Sequence, residues 1–403
     1  MLEIFNKIVS FETKTIDKFK KQNYIERNTY KDFDKINFPI FWIVGLRWIW
    51  KTTYLLSRKI KTDKSLYISC DWNFLIWTNL LELILYINNN FWISTFYLDE
   101  LQFLGNWDSI LKNLYDISDI KIIFSGSSKI SLEKTSYDLS RRVILKKLNI
   151  FSYLEYLNIK HKLNIEWFTF DELLENYQQL SFKYSKYFSK DIWKNDYLRY
   201  GEFGYFYSGY ENEFNFLLWN SIKKSIYEDL PQIANLDTKN LSKLEKLLFY
   251  IANMWASSIS INSLSKKIQL DNKIIKLYLE YLEQLGWIYN INKYWNLTDN
   301  IRKEIKIYLS SNNLANYFCI EKDSNFVWKQ RETFFLQNMA RFIDTNNIFY
   351  KKRTDFIIKY KQKEYNFEIW WKNKSRNDVF TIKDDILIAE KNMIPLWLFG
   401  FVK

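Results

Sequence analysis

The sequence predicts an α/β fold in which a parallel sheet comes first, a helical region follows, and an α+β segment closes the chain. Three observations carry this. Over roughly the first 150 residues, short apolar runs alternate with helix-length amphipathic stretches. One of those runs leads directly into a loop bearing glycine and lysine and then into a helix, which is a strand-loop-helix unit. The last hundred or so residues hold β-like runs and a strongly apolar tail.

Taken in order, residues 1–35 read as a helical extension. The run IFWIV, Ile40 to Val44, is followed at once by GLRWIWKTT and the helix-like YLLSRKI. Further strand-like runs are LYISC (Leu66 to Cys70), STFYLDE (Ser94 to Glu100) and IKIIFSGSS (Ile120 to Ser128), with helix-length stretches such as NWDSILKNLYDI between them. Strands that alternate with helices imply a parallel sheet, here a core over residues 36–150. Residues 151–240 are rich in aromatics and charge at helical spacing and read as a helical connecting region. Within 241–303, LSKLEKLLFYIANM, INSLSKKIQ and DNKIIKLYLEYLEQLG read as three amphipathic helices, with Asp271 as N-cap and Gly286 as C-cap. WIYNI then reads as a short strand, so this segment has a winged-helix pattern. Residues 304–403 contain TDFIIKYKQKEYNFEIWWKNK, two β-like runs separated by KQKE, and end in the apolar IPLWLFGFV.

Composition excludes several classes. A chain of 403 residues with 48% hydrophobic and 26% charged residues buries a large core and is not disordered. Two cysteines, Cys70 and Cys319, support neither a disulfide framework nor a cysteine-based zinc site, which fits a cytoplasmic location. His161 is the sole histidine, so histidine-dependent triads and polyhistidine metal sites are excluded. No signal-peptide pattern or run of about 18 apolar residues predicts export or membrane spanning. The net charge of +12 favours a polyanionic partner such as nucleic acid, but a lysine-rich proteome gives the same number.

One count is anomalous: the chain has 8 Gly and 17 Trp. Abundant Ile, Lys, Asn, Tyr and Phe point to an AT-rich coding sequence, which explains scarce glycine but not abundant tryptophan. The codon UGA is read as tryptophan in some genetic codes and as glycine in others. Glycine and tryptophan together make about 6% of the chain, near the usual glycine share of about 7%. Several tryptophans are therefore expected to be glycine in the cell that makes the protein.

The loop tests that expectation. The phosphate-binding pattern GxxxxGK[ST] uses glycines to let backbone N–H groups approach phosphates, a lysine for the β/γ-phosphates and a hydroxyl for Mg²⁺. Gly45, Lys51 and Thr52 match, Thr53 follows, and Trp50 occupies the second glycine position, with Trp48 two residues earlier. An indole there intrudes on the phosphate cradle and strains any backbone needing positive φ. Asp99 and Glu100 end an apolar strand about fifty residues on, suiting a carboxylate that holds Mg²⁺ and one that orients water. The hydroxyls of Ser125, Ser127 and Ser128 end the next strand, where a sensor of the γ-phosphate would lie.

In this order the motifs resemble a family of prokaryotic AAA-type P-loop ATPases with a carboxy-terminal domain of poorly characterised function, and the resemblance runs over nearly the whole chain. GLRWIWKTT resembles that family's GLRGxGKTT, YLDELQFLGNWDSILKNLYD its Walker B segment, and KIIFSGSS its sensor strand. LSRRVILKKLNIFSYLEYL resembles the segment that ends the core, which implies Arg141 and Arg142 as candidates for stabilising γ-phosphate charge from the same chain or from a neighbour in a homo-oligomer. YLRYGEFG, IYEDLP, KIYL, RETFF and FEIWWKNK match segments of the carboxy-terminal half. The departures are mostly glycine replaced by tryptophan, at Trp48, Trp50, Trp328, Trp370 and Trp371, whereas Trp107 and Trp397 stand where the family has tryptophan. The resemblance implies ATP and Mg²⁺ as cofactors.

Two other functions remain open at this stage. Literal tryptophans at 48 and 50 would leave a DNA- or protein-binding module with a dead loop, in which Lys266, Lys267, Lys273 and Lys276 reach phosphates from the winged-helix segment. Asp355, Glu368 and Lys372 or Lys374 suggest a nuclease-like arrangement in which two acids hold Mg²⁺, although the usual lysine position two residues past the acid is Trp370. A degenerate nuclease-like scaffold used for binding fits the same residues.

Overall fold

Apolar runs without alternation require cover on both faces, and the first unit of the chain provides it. Its strands are β1 (Ile40–Val44), β2 (Ser65–Ser69), β3 (Thr95–Asp99), β4 (Lys121–Gly126) and β5 (Ile144–Lys147). The first three are buried at every residue and β4 at all but its first. They form one parallel sheet in the order β2-β3-β4-β1-β5. The computed structural model describes residues 1–22, 24–126, 139, 141–231, 241–254, 257–294, 304–369 and 379–403. These divide into two units, Met1–Asn149 and the described residues of Ile150–Lys403.

In the first unit the helices are α1 (Leu2–Lys20), α2 (Tyr30–Phe33), α3 (Lys51–Lys61), α4 (Leu80–Phe91) and α5 (Trp107–Ile117). Ile40, Trp42, Val44, Leu66, Ile68, Phe96, Leu98, Ile122 and Phe124 share one core with Leu83, Ile84 and Ile87 of α4 and Ile110, Leu111 and Leu114 of α5. Alternate residues face the opposite layer, where Phe41 meets Phe33 and Phe33 meets Tyr54 of α3. Helix α4 starts at Asn79, whose side chain accepts from the Glu82 N–H, and ends at Trp92 in the left-handed conformation.

The second unit opens with α6 (Tyr153–Lys160), α7 (Phe170–Ser185) and α8 (Phe214–Lys224). Capping boxes Ser152/Glu155 and Thr169/Glu172 start α6 and α7. Next come α9 (Leu241–Asn253), β6 (Ile259–Ser260), α10 (Ile261–Ile268), α11 (Asn272–Gln284), β7 (Ile288–Lys293) and β8 (Glu304–Leu309). The three helices lie where amphipathic spacing places them, and Asp271 caps α11 through the Lys273 N–H at 2.7 Å. Gly286 is the left-handed residue just past the cap, with φ +85. Its N–H bonds Glu283 O at 2.9 Å and the Trp287 N–H bonds Leu282 O at 2.9 Å, the paired bonds of a Schellman motif.

The chain continues through α12 (Asn312–Phe318), α13 (Ser324–Met339), β9 (Ile348–Lys351), β10 (Thr354–Tyr360), β11 (Lys363–Ile369), β12 (Phe380–Lys383) and β13 (Met393–Pro395). The two β-like runs around KQKE form the antiparallel pair β10–β11, turning at Lys361 and Gln362, both with positive φ. One eight-stranded sheet, ordered β13-β12-β11-β10-β9-β7-β8-β6, joins β6, β7 and β8 to the carboxy-terminal strands through the parallel pair β7–β9. No helix among the described residues is long and apolar enough to cross a membrane.

Candidate functional site

Strand β1 delivers its last residue, Val44, to a loop that ends where α3 begins at Lys51. Gly45 is compelled by space, because a Cβ there would lie 2.4 Å from Leu148 O and 2.5 Å from Ile49 Cδ1. The Lys51 side chain is buried and its Nζ donates to Gly45 O and Leu46 O, both at 2.8 Å, so the ammonium is folded back into the curl of the loop. Trp48 and Trp50 both adopt left-handed backbone, with φ 60 and 69. Trp92, with φ 60, is the third described tryptophan in that region of conformational space. A bulky L-residue there is strained by contact of its Cβ with the backbone, whereas glycine is not. Trp42, Trp107, Trp193, Trp287 and Trp397 are by contrast buried. At Trp328 the backbone is helical and the indole Nε1 donates to Glu332 at 2.6 Å, so glycine is not required there. Trp370 and Trp371 lie outside the described residues.

The acidic pair sits one strand away from the loop. Because β4 lies between β1 and β3, the end of β4 is placed between the loop and Asp99. The buried Asp99 carboxylate accepts from Tyr67 Oη at 2.9 Å and from Ser125 Oγ, and the Thr52 side chain lies close enough to lower its pKa. Burial, followed by the charge of Glu100, pushes its pKa up, and those three hydroxyls oppose the shift. Glu100 has φ 52; its N–H donates to Ser125 Oγ at 3.1 Å and its carboxylate accepts from Gln102 Nε2. Arg47 of the loop lies 3.9 Å from the same carboxylate. Thr52, Asp99, Glu100 and Lys51 are thus gathered at the carboxyl edge of the sheet, the edge at which α/β folds hold ligands.

Other expected residues fall elsewhere. Ser127 and Ser128 lie outside the described residues, and the serine that meets Asp99 is Ser125. Arg142 makes a two-pronged pair with Asp116, at 2.9 and 3.1 Å, and Arg141 is exposed. Both arginines precede Ile144, which pairs with Phe41 at the far end of β1 from Gly45, so the sheet separates them from the loop of their own chain. Sequence reasoning missed Tyr67, Gln102 and Arg27; the first two were detectable only as polar groups beside apolar strands.

In the second unit Asp355 on β10 accepts from the Ile369 N–H of neighbouring β11 at 2.9 Å, and Glu368 lies on β11. Lys372 and Lys374 lie outside the described residues. Two residues not singled out from sequence join Asp355 instead: Lys306 Nζ lies 3.7 Å from its carboxylate and 3.9 Å from that of Glu332. Glu332 is buried and bonded to Tyr308 Oη at 2.6 Å; burial first, then the charge of Asp355, pushes its pKa up, while Lys306 opposes the shift. Among the described residues no three His, Cys, Asp or Glu side chains form a metal-binding group.

Residues 37–157 match the AAA domain family. With the parallel sheet and its loop, that decides the first unit. This unit has the fold of an AAA-type P-loop domain. Residues 194–324 match a domain of unknown function, DUF8612. The chain is 30% identical over 284 residues to the uncharacterized protein MJ1637 of Methanocaldococcus jannaschii, an alignment covering 66% of this chain and 59% of that protein. It is 24% identical over 401 residues to MJ1544 of the same organism, also uncharacterized, covering 92% of this chain and 81% of that one. Among solved structures it overlaps AMPPCP-bound DnaA from Aquifex aeolicus (TM-score 0.24, 16% identity, 64% of this chain and 87% of that one). It also overlaps the S. cerevisiae Hsp104-ADP complex (TM-score 0.29, 14% identity, 64% and 37%). Overlaps of that quality say nothing about activity.

Proposed function

We propose that this protein is a Mg²⁺-dependent ATPase whose loop carries glycine at positions 48 and 50 in the cell that makes it. The observation that supports this most is the left-handed backbone at Trp48 and Trp50, the conformation a glycine-rich phosphate loop takes, held here against the preference of two indoles. Lys51 then serves the β/γ-phosphates, and the Gly45–Thr53 backbone supplies N–H donors. The hydroxyl of Thr52 and the carboxylate of Asp99, close enough that the hydroxyl lowers the pKa of the acid, are the groups that would hold Mg²⁺, which typically takes one or two carboxylates along with phosphates and water. Bound Mg²⁺ would neutralise charge developing on the transferred phosphoryl group. Glu100 is assigned to orienting the attacking water, and Ser125 and Ser127 to sensing the γ-phosphate. Arg141 and Arg142, on the opposite edge of their own sheet, are assigned to a neighbouring copy's site.

Nucleotide affinity of the chain as it stands and of its Trp48→Gly, Trp50→Gly version tests this. The expected result is tight Mg·ATP binding and turnover in the glycine version only, with turnover lost in Glu100→Gln while binding persists. Equal binding by both chains sinks the steric argument, and no binding by either sinks the ATPase.

A second reading, DNA binding by the second unit, is supported by the order α9-β6-α10-α11-β7-β8 with Lys266, Lys267, Lys273 and Lys276 all exposed. Duplex affinity that falls steeply with salt, and falls further in Lys273→Glu, Lys276→Glu, is the expected result. Salt-independent or absent binding removes it.

A further inference from the structure

A phosphate-binding loop works only if its peptide planes are turned so that N–H groups face the anion, and in a planar trans peptide the carbonyl then faces the other way. Those outward carbonyls are strong acceptors and need donors if they are buried. The segment before β1 supplies them. Arg27 is fully buried; its guanidinium donates through Nη1 to Ile49 O at 2.8 Å and through Nη2 to Asn149 O at 3.0 Å. Tyr30, also fully buried, donates its hydroxyl to Trp50 O at 2.5 Å. The Tyr30 N–H bonds Arg27 O at 3.1 Å, so both donors come from one turn. That turn is held in place by Arg58 of α3, which bonds Asp34 through Nε at 2.6 Å, pairs with Glu26 and lies over the Tyr30 ring.

We infer that Arg27 and Tyr30 are positioning residues of the nucleotide site, fixing the 49–50 and 50–51 peptide planes so that the N–H groups of residues 50 and 51 are presented to the β-phosphate. This rests on reading the loop as an ATP site. The two donors are unequal. The carbonyl of Trp50 also accepts the first helical bond of α3, from the Tyr54 N–H at 3.1 Å, so the helix itself orients that plane. The 49–50 plane precedes the helix, and Arg27 is the donor that reaches its carbonyl from the preceding segment. Arg27 therefore matters more than Tyr30. Its second prong, to Asn149 O, ties the loop to the chain leaving β5, whose Leu148 N–H bonds Val44 O at 2.8 Å.

The test uses the full chain carrying Trp48→Gly and Trp50→Gly, with Arg27→Met, Arg27→Lys or Tyr30→Phe added. Two quantities are measured: affinity for ATP, ADP and adenosine by calorimetry, and amide hydrogen exchange of the 45–53 peptide without nucleotide. Arg27→Met is expected to weaken ATP and ADP at least tenfold while adenosine affinity holds, and to speed exchange at amides 50 and 51. Arg27→Lys, with one donor group in place of a fork, is expected to fall between, and Tyr30→Phe to weaken ATP about threefold. Unchanged exchange in Arg27→Met overturns the inference whether or not any nucleotide binds. An equal loss of adenosine and ATP overturns it as well, since that marks a role in the domain's stability alone. Failure of the parent to bind ATP, with faster exchange in Arg27→Met, refutes the ATPase and leaves the positioning role standing.

Discussion

Replacing Trp92 by glycine is expected to stabilise the first unit, although it deletes the largest of side chains. Trp92 closes α4 with φ 60 and ψ 28, and its N–H bonds Asn88 O at 3.0 Å, a bond glycine keeps. The left-handed conformation costs an L-residue about 1–2 kcal/mol and costs glycine essentially nothing. Against that stands the larger backbone entropy of glycine in the unfolded chain, about 0.5–1 kcal/mol. Little burial is lost, since the side chain is 73% exposed. The balance is a gain of about 0.5–1 kcal/mol, read as an upward shift in the urea midpoint at unchanged slope. Trp92→Ala is the control: it removes the indole and keeps the Cβ, so the glycine variant should exceed it by about 1 kcal/mol. Trp92→Gly falling below the parent, or matching Trp92→Ala, would refute the claim that backbone geometry marks glycine positions in this chain.

Other outcomes follow from the same geometry. Peptide mass spectrometry of the protein from its own cell should find glycine at 48, 50 and 92 and tryptophan at the buried 42, 107 and 397; tryptophan at all six would end the recoding account. Arg341→Met should cost about 3–5 kcal/mol, because it takes the cation at 3.0 Å away from the fully buried Glu155 carboxylate and leaves its charge to hydrogen bonds such as that from the Ser152 N–H; adding Glu155→Gln should recover part of that loss in a denaturation cycle. Glu202 is fully buried, and burial pushes its carboxyl up to about 7 against the hydrogen bonds from Ser311, Asn313 and Gln337. A raised acid favours the folded state most below its ordinary range, and that advantage drains as pH rises toward 7, with a slope of at most about 1.4 kcal/mol per pH unit. Glu202→Gln should flatten the fall in stability between about pH 5 and 7, and an unchanged slope would count against the assignment.

Local physics determined much of this protein from sequence alone. Short apolar runs of strand length, with helix-length amphipathic stretches between them, read as strands covered on both faces, and β1 to β4 are that. Asp271 and Gly286 marked the ends of α11 through capping chemistry confined to a few neighbouring residues. Lys51, Thr52, Asp99 and Glu100 were legible because their spacing relative to strand ends is a property of the chain. The glycine deficit was legible too, as a count. What only tertiary structure decided are relations between distant segments. Strand order put β4 between β1 and β3, and so brought the Ser125 hydroxyl to Asp99 beside that of Tyr67. The parallel direction of β5 beside β1 placed Arg141 and Arg142, which precede Ile144, at the end of the sheet away from the loop, where adjacency in sequence gave no warning. Lys306 and Glu332 meet Asp355 across elements that share no sequence pattern. Which tryptophans occupy glycine's conformation is likewise set by φ, an angle that composition does not encode and that the fold imposes through loop closure and helix termination.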